Sequence, residues 1–168
     1  MKLSYLLESS LSDLYQSTVE AFPRTTLRQY ATHPIVITNL RWTPFVGMKT
    51  LFIKGLAQHE TREYNTIVLL KGIDYTGEGI VITASDGMEY SFVKPSLENT
   101  DVAVRCQCPD FHWRFNFYNH LDKSLYGSKR GPYESQGGPP ANPLELPGMC
   151  KHVIKTIKVL HEAGLFSE

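Results

Sequence analysis

Apolar positions follow two periods along the chain, and the change between them marks its organisation. From Met1 to about Glu20, Leu3, Leu6, Leu7, Leu11 and Leu14 recur at helical spacing with Ser and Asp between them, which predicts an amphipathic helix ending before Pro23. Surface helices normally bury such a stripe in their own fold, so this one is expected to cover the following sheet rather than dock on a neighbour. A short second helix is predicted from an N-cap at Thr25 or Thr26 to just before Pro34.

From Ile35 the pattern becomes that of strands. Ile35–Arg41, Lys49–Gly55, Asn65–Lys71, Gly79–Ala84, Met88–Lys94 and Val102–Gln107 are short runs rich in β-branched and aromatic residues, with turn residues between most of them. Ser85-Asp86-Gly87 joins the fourth and fifth as a hairpin, since Asp-Gly accepts the positive backbone angles of a tight turn. Six such strands predict a small, bent antiparallel sheet or partly open barrel.

Beyond the last strand the period is ambiguous. Phe111 to Phe117 alternates aromatic and polar residues as a strand does. Pro109 nevertheless suits a first helical position, and Phe111, Phe115, Tyr118 and Leu121 or Leu125 share a helical face, so a helix from Pro109 to about Lys123 is expected. Its aromatics are expected in a satellite core, with base stacking as the alternative. Tyr126 to Gly148 is rich in Gly and Pro and reads as a long loop, a class of segment that is usually functional or disordered. Its Pro140-Ala141-Asn142-Pro143 has the P-x-x-P form, by itself a weak signal. Cys150 to about Ala163 reads as a final helix, apolar along Val153, Ile154, Ile157 and Leu160, wet along Lys151, Lys155 and Lys158, and stopped by Gly164. The chain is thus expected to be α+β in three segments: a helical segment over 1–34, an antiparallel β body over 35–101, and a module over 102–168 carrying the long insertion 126–148.

Composition narrows the function classes. With 42% hydrophobic and 20% charged residues among 168, the chain has the make-up of a soluble globular protein. No apolar run approaches the roughly 20 residues of a membrane span, so no membrane association is expected. Glu8 and Asp13 interrupt any apolar core of a secretory signal, so a cytoplasmic setting with reduced thiols is expected. Lys+Arg and Asp+Glu both number 17. Nucleic-acid binders usually carry a basic surplus, which makes nucleic acid the secondary expectation for a partner. No Gly-rich phosphate loop and no Ser/His/Asp arrangement points to a small-molecule substrate or a catalytic role, and His33 and His59 read as turn or surface residues.

The chemistry lies in the cysteines. All three fall into one split pattern, Cys106-Gln107-Cys108 followed by Cys150-Lys151-His152. Residues i and i+2 of a strand project to one face, so Cys106 and Cys108 can reach a common metal, and with Cys150 and His152 they make a full tetrahedral ligand set for one Zn2+. A filled set leaves no position for water and points to structural rather than catalytic zinc. His112, His120 and His161 are reserve ligands, and Glu134 and Glu145 are acids with no evident tie to the metal.

Cys106-Gln107-Cys108 with Asp110-Phe111, and Pro147-Gly148-Met149-Cys150-Lys151-His152 before an apolar helix, resemble the SWIM-type zinc finger, C-x-C…C-x-H. The resemblance covers 102 to about 163 and departs from the family in its long spacer. It implies zinc ligation by Cys106, Cys108, Cys150 and His152, with the first pair on a β-hairpin and the second opening a helix. It also implies contacts with protein or DNA. More faintly, the whole chain resembles small SWIM-containing proteins of large tailed bacteriophages. The expected function is therefore a non-enzymatic, zinc-stabilised structural protein that contacts other subunits of an assembly. The alternative is a nucleic-acid-binding accessory protein using Lys123, Lys129, Arg130, Lys151 and Lys155.

Overall fold

The computed structural model describes residues 9–22, 34–131 and 141–167. The expected helix at Thr25 or Thr26, and Leu3, Leu6, Leu7 and His33, lie outside the described residues.

Helix α1, Leu11–Ala21, opens with a reciprocal cap. Ser10 Oγ accepts from Asp13 N at 3.2 Å while Asp13 Oδ2 accepts from Ser10 N at 3.0 Å, which satisfies two amide donors that have no partner inside the helix. Leu11, Leu14, Thr18 and Ala21 form its buried side.

The strands β1 (Val36–Phe45), β2 (Thr50–His59), β3 (Arg62–Lys71) and β6 (Val102–Cys106) form one antiparallel sheet in the order β1-β2-β3-β6. Strands β4 (Ile80–Thr83) and β5 (Glu89–Phe92) form a separate two-stranded hairpin, inserted between β3 and β6. Six strands were expected in one small bent sheet or partly open barrel; they divide instead between a four-stranded sheet that does not close and a two-stranded one. Gly87, at φ 80°, supplies the left-handed residue of the Ser85-Asp86-Gly87 turn. The hairpin leans on the main sheet through Phe92, which is fully buried and edge-on to Tyr75, and through Ser85, whose amide donates to Trp42 O at 3.0 Å.

Strand alternation decides which face is core. Leu51–Leu70–Val102 and Ile53–Val68–Val104 are cross-strand rows on one face, and all six side chains are buried. Gly55 and Thr66 continue this face next to Cys106. A Cβ on Gly55 would meet Ile37 Cγ2 at 2.9 Å and Leu40 Cδ2 at 3.2 Å, because β1 bulges between Thr38 and Arg41 and folds Leu40 over the glycine.

The stretch after β6 is helical, as the face of Phe111 and Phe115 suggested, but it begins with a π turn, Phe111–Phe115, before α2, Asn116–Leu121. The wider turn changes which positions face inward. Phe111, Phe115, Asn116 and Asn119 are buried, Tyr118 is half-buried and Leu121 is exposed. The last helix, α3 (Lys151–Glu162), lies across the core face of the main sheet, burying Val153, Ile154, Thr156 and Leu160, and Gly164 at φ 84° ends it. Lys151 and Lys155 are half-exposed and Lys158 exposed, as the periodicity predicts. No helix among the described residues is long and apolar enough to cross a membrane.

Candidate metal centre

Three elements meet at one end of the core face. Cys106 is the last residue of β6, paired with Thr66 of β3. Gln107 then turns outward and its Oε1 accepts from both the backbone and side-chain nitrogens of Asn65, at 3.0 and 2.9 Å. Locking Gln107 to β3 leaves Cys106 and Cys108 on the inner side. Cys108 sits where the π turn starts, and the Phe111 amide donates to its Sγ at 3.3 Å. Cys150 is the extended residue preceding α3, its side chain capping nothing, and His152 lies in the first turn beyond.

One ligand atom from each of Cys106, Cys108, Cys150 and His152 falls within 4.8 Å of every other, and all four residues are buried. His152 Nδ1 stands 4.0 Å from Cys150 Sγ. Zn–S bonds of about 2.3 Å and Zn–N bonds of about 2.0–2.1 Å imply ligand atoms about 3.6–3.8 Å apart in a tetrahedron. The quartet thus needs only slight contraction to close on one ion. The donor set fits a metal that prefers thiolate and imidazole.

The thiols are electrostatically unequal. Hydrogen bonds from Cys106 and Cys150 hold the Cys108 thiol well below its usual range, helped by His152 and the Phe111 amide. Burial pushes Cys106 and Cys150 well above theirs. Burial disfavours more than one thiolate in so small a space, and a divalent cation removes that conflict by making every thiol a thiolate ligand. Helix amides at Cys108 favour the same anionic form.

The packing around the quartet explains its geometry. Thr156 Oγ1 donates to His152 O at 2.9 Å and shares a 2.8 Å hydrogen bond with Thr66 Oγ1, so one buried hydroxyl pair fixes α3 to the strand opposite Cys106. The Tyr64 ring lies 5.0 Å from that of His152. On the other side, Asn119 brackets Gly148: its Oδ1 accepts from Gly148 N at 2.8 Å and its Nδ2 donates to Gly148 O at 2.9 Å. Thr18 Oγ1 of α1 accepts from Met149 N at 3.0 Å and donates to Leu14 O at 2.7 Å. Asn142 Nδ2 donates to Arg114 O at 2.9 Å and to Leu146 O at 2.7 Å.

The Arg130 amide donates to Asn116 Oδ1 of α2 at 2.9 Å, so both described ends of the long loop, 126–131 and 141–148, are tied to α1, the π turn or α2 by buried amide and hydroxyl side chains. Asn116, Asn119, Asn142, Thr18, Thr66 and Thr156 were not singled out by the sequence reading. Asn116 and Asn119, three apart beside the buried phenylalanines, were the available signal, since a buried carboxamide demands partners. Pro140, the first residue of the P-x-x-P, lies outside the described residues, while Asn142 within it is buried.

The reserve ligands stand apart from the quartet. His112 is half-buried with its ring against Trp113, whereas His120 and His161 are exposed. His59 is half-buried at the end of β2. Glu145 is exposed, and Glu134 lies outside the described residues. Of the five candidate contact cations, Lys123 and Lys129 are exposed, and Lys151 and Lys155 lie on α3. Arg130 turns inward: Nε donates to His112 O at 2.6 Å, Nη1 to Gly131 O at 2.7 Å and Nη2 to Trp113 O at 3.3 Å, with the guanidinium 4.9 Å from the Trp113 ring centre. Beside Cys106 an open cleft of about 430 Å³ is bounded by Arg105, Gln107, Pro109, His112 and Trp113.

The four-residue cluster is compatible with a zinc finger. No family model, curated protein or solved structure matches the chain.

Proposed function

We propose that the chain is a non-enzymatic structural protein in which one Zn2+, held by Cys106, Cys108, Cys150 and His152, clamps the C-terminal helix and the long loop to the sheet. One observation carries this reading: among the described residues, the one cluster of possible metal ligands brings four Cys and His atoms within 4.8 Å of one another, enough to fill a tetrahedral shell. Catalytic zinc keeps a position open for water or substrate, and a closed shell stabilises fold instead. The surfaces so fixed are then the working parts, contacting protein subunits of a larger assembly. The SWIM resemblance, which implies contacts with protein or DNA, is consistent with this, and its fainter extension points to a virion component of a large tailed bacteriophage. The zinc-side cations suit nucleic acid less well, because the Arg130 fork is spent on three backbone carbonyls.

Cobalt substitution tests the closed shell. Co2+-loaded protein is expected to give a tetrahedral thiolate spectrum that added azide leaves unchanged. A spectrum that shifts with azide would reveal an open position and sink the structural reading. For the partner, sedimentation of the untagged protein from its native source is expected to place it in a large particle, and recovery only as a free monomer would count against assembly.

A further inference from the structure

The face of the main sheet turned away from α3 carries a pattern that the zinc reading leaves unused. Register places three cross-strand rows there: Thr43–Phe52–Leu69–Ala103, then Arg41–Lys54–Ile67–Arg105, then Thr38–Leu56–Asn65, with Gln107 bonded to Asn65. The middle row sets three cations across four strands. Neighbouring strands lie about 4.8 Å apart, so the row spans about 14 Å. In a chain with as many acids as bases, none of these three rows contains an acid. Acids enter only beyond them, at Glu63, whose Oε1 accepts from Gln58 at 2.9 Å, and at Asp101 past the start of β6.

Two aromatic rings, both half-buried, adjoin the cations. Phe52, half-buried, has its ring 5.4 Å from that of Tyr126, which runs along the free edge of β6. Arg105 fixes that edge by donating from Nη1 to Tyr126 O at 3.0 Å and Ser128 O at 2.8 Å. Gly127, at φ 81°, allows the approach, since a Cβ there would crowd Arg105 Nη1 at 3.3 Å. Both bonds use Nη1, and Arg105 Nε and Nη2 have no partner among the described residues.

We propose that this face binds single-stranded nucleic acid, with Arg41, Lys54 and Arg105 on successive phosphates and Phe52 with Tyr126 as a stacking platform for bases. Such strands are held by a cationic track with aromatic faces beside it, the combination found here. A duplex hides its base faces and cannot use the platform. The site is separate from the α3 cations and holds whether or not the zinc-side surfaces bind protein.

The test uses zinc-loaded full-length protein, a fluorescent oligothymidylate and a duplex of equal length, read by polarisation across salt concentrations. Three phosphate contacts predict a slope of log K against log salt of about −2 for a single strand. In the Arg41→Gln/Lys54→Gln variant the slope falls to about −0.7, and affinity drops about tenfold near 150 mM salt. Phe52→Leu weakens single-strand binding and leaves the slope unchanged. Lys151→Gln/Lys155→Gln, on α3, binds as the parent does. Unchanged zinc content and circular dichroism in each variant show that the fold persists. The proposal is overturned by no binding near 50 mM salt, by an α3 variant that loses binding while the sheet variant keeps it, or by duplex or anionic vesicles binding as tightly as the single strand.

Discussion

Asn119→Ala tests how the loop is held in front of the metal ligands. Asn119 is fully buried, and its carboxamide meets both the N–H and the C=O of Gly148, itself buried and two residues before Cys150. Alanine removes both partners at once and leaves a buried donor and a buried acceptor unsatisfied. Each such group costs about 1–3 kcal/mol, so the pair predicts a loss of about 3–4 kcal/mol, a substantial part of the roughly 5–15 kcal/mol that stabilises an ordinary domain. Because the same bracket positions Cys150, part of the loss should reappear as weaker metal binding, tenfold for each 1.4 kcal/mol or so. Urea unfolding of the zinc-loaded protein measures the first quantity, and competition with a chelator of known affinity the second. A stability change under about 0.5 kcal/mol with unaltered zinc affinity would refute the reasoning, since it would mean that water or a local shift satisfies Gly148 as well as Asn119 does.

Gly148→Ala should destabilise by about 1–3 kcal/mol, because a Cβ there would overlap Thr18 Oγ1 and Phe115 Cε1, much closer than van der Waals contact; denaturant midpoints measure it, and pairing with Thr18→Ser should not recover the loss, since the hydroxyl remains. Alkali should destabilise the protein through Tyr75, whose phenol burial pushes to about 12 while its hydroxyl donates to Thr50 O. The folded state then keeps a proton that the unfolded chain releases near pH 10, so stability is intact below that and falls as pH rises from about 10 to 12. Tyr75→Phe should flatten this limb in unfolding experiments at successive pH values, and an unchanged limb would contradict the assignment.

The strand positions and the quartet were legible in sequence because each rests on a local rule. Alternation of β-branched residues marks strands, Asp86-Gly87 marks the hairpin, and a split pattern holding every cysteine of the chain marks the residues that cluster. The division into two sheets was not legible, because pairing of β3 with β6 skips the hairpin between them and no periodicity encodes that choice. The π turn was hidden for a related reason: inserting a wider turn at Phe111–Phe115 carries the inward face from Tyr118 and Leu121 to Asn116 and Asn119, against the 3.6-residue rule that the reading assumed. The loop looked unstructured because its anchors are polar. Asn142 reads as a turn residue until Arg114 O and Leu146 O are seen to need its amide. The capping box of α1 lay in Ser10 and Asp13, and the reading passed over it because the leucine period carried the expected helix through Ser9 and Ser10, which lie outside α1.

The central claim is that one zinc ion holds Cys106, Cys108, Cys150 and His152 and that the fold depends on it. Structural zinc contributes on the order of 10 kcal/mol of folding free energy in zinc-finger peptides, so an ordered C-terminal module should not survive its removal. Elemental analysis of protein purified without added metal, coupled to circular dichroism before and after chelation, is the direct measurement. The account predicts one zinc per chain, none in Cys150→Ser, and loss of α3 helicity on chelation that returns with zinc. Native protein that carries no metal, or that keeps its full helical signal after the metal is stripped, would contradict it.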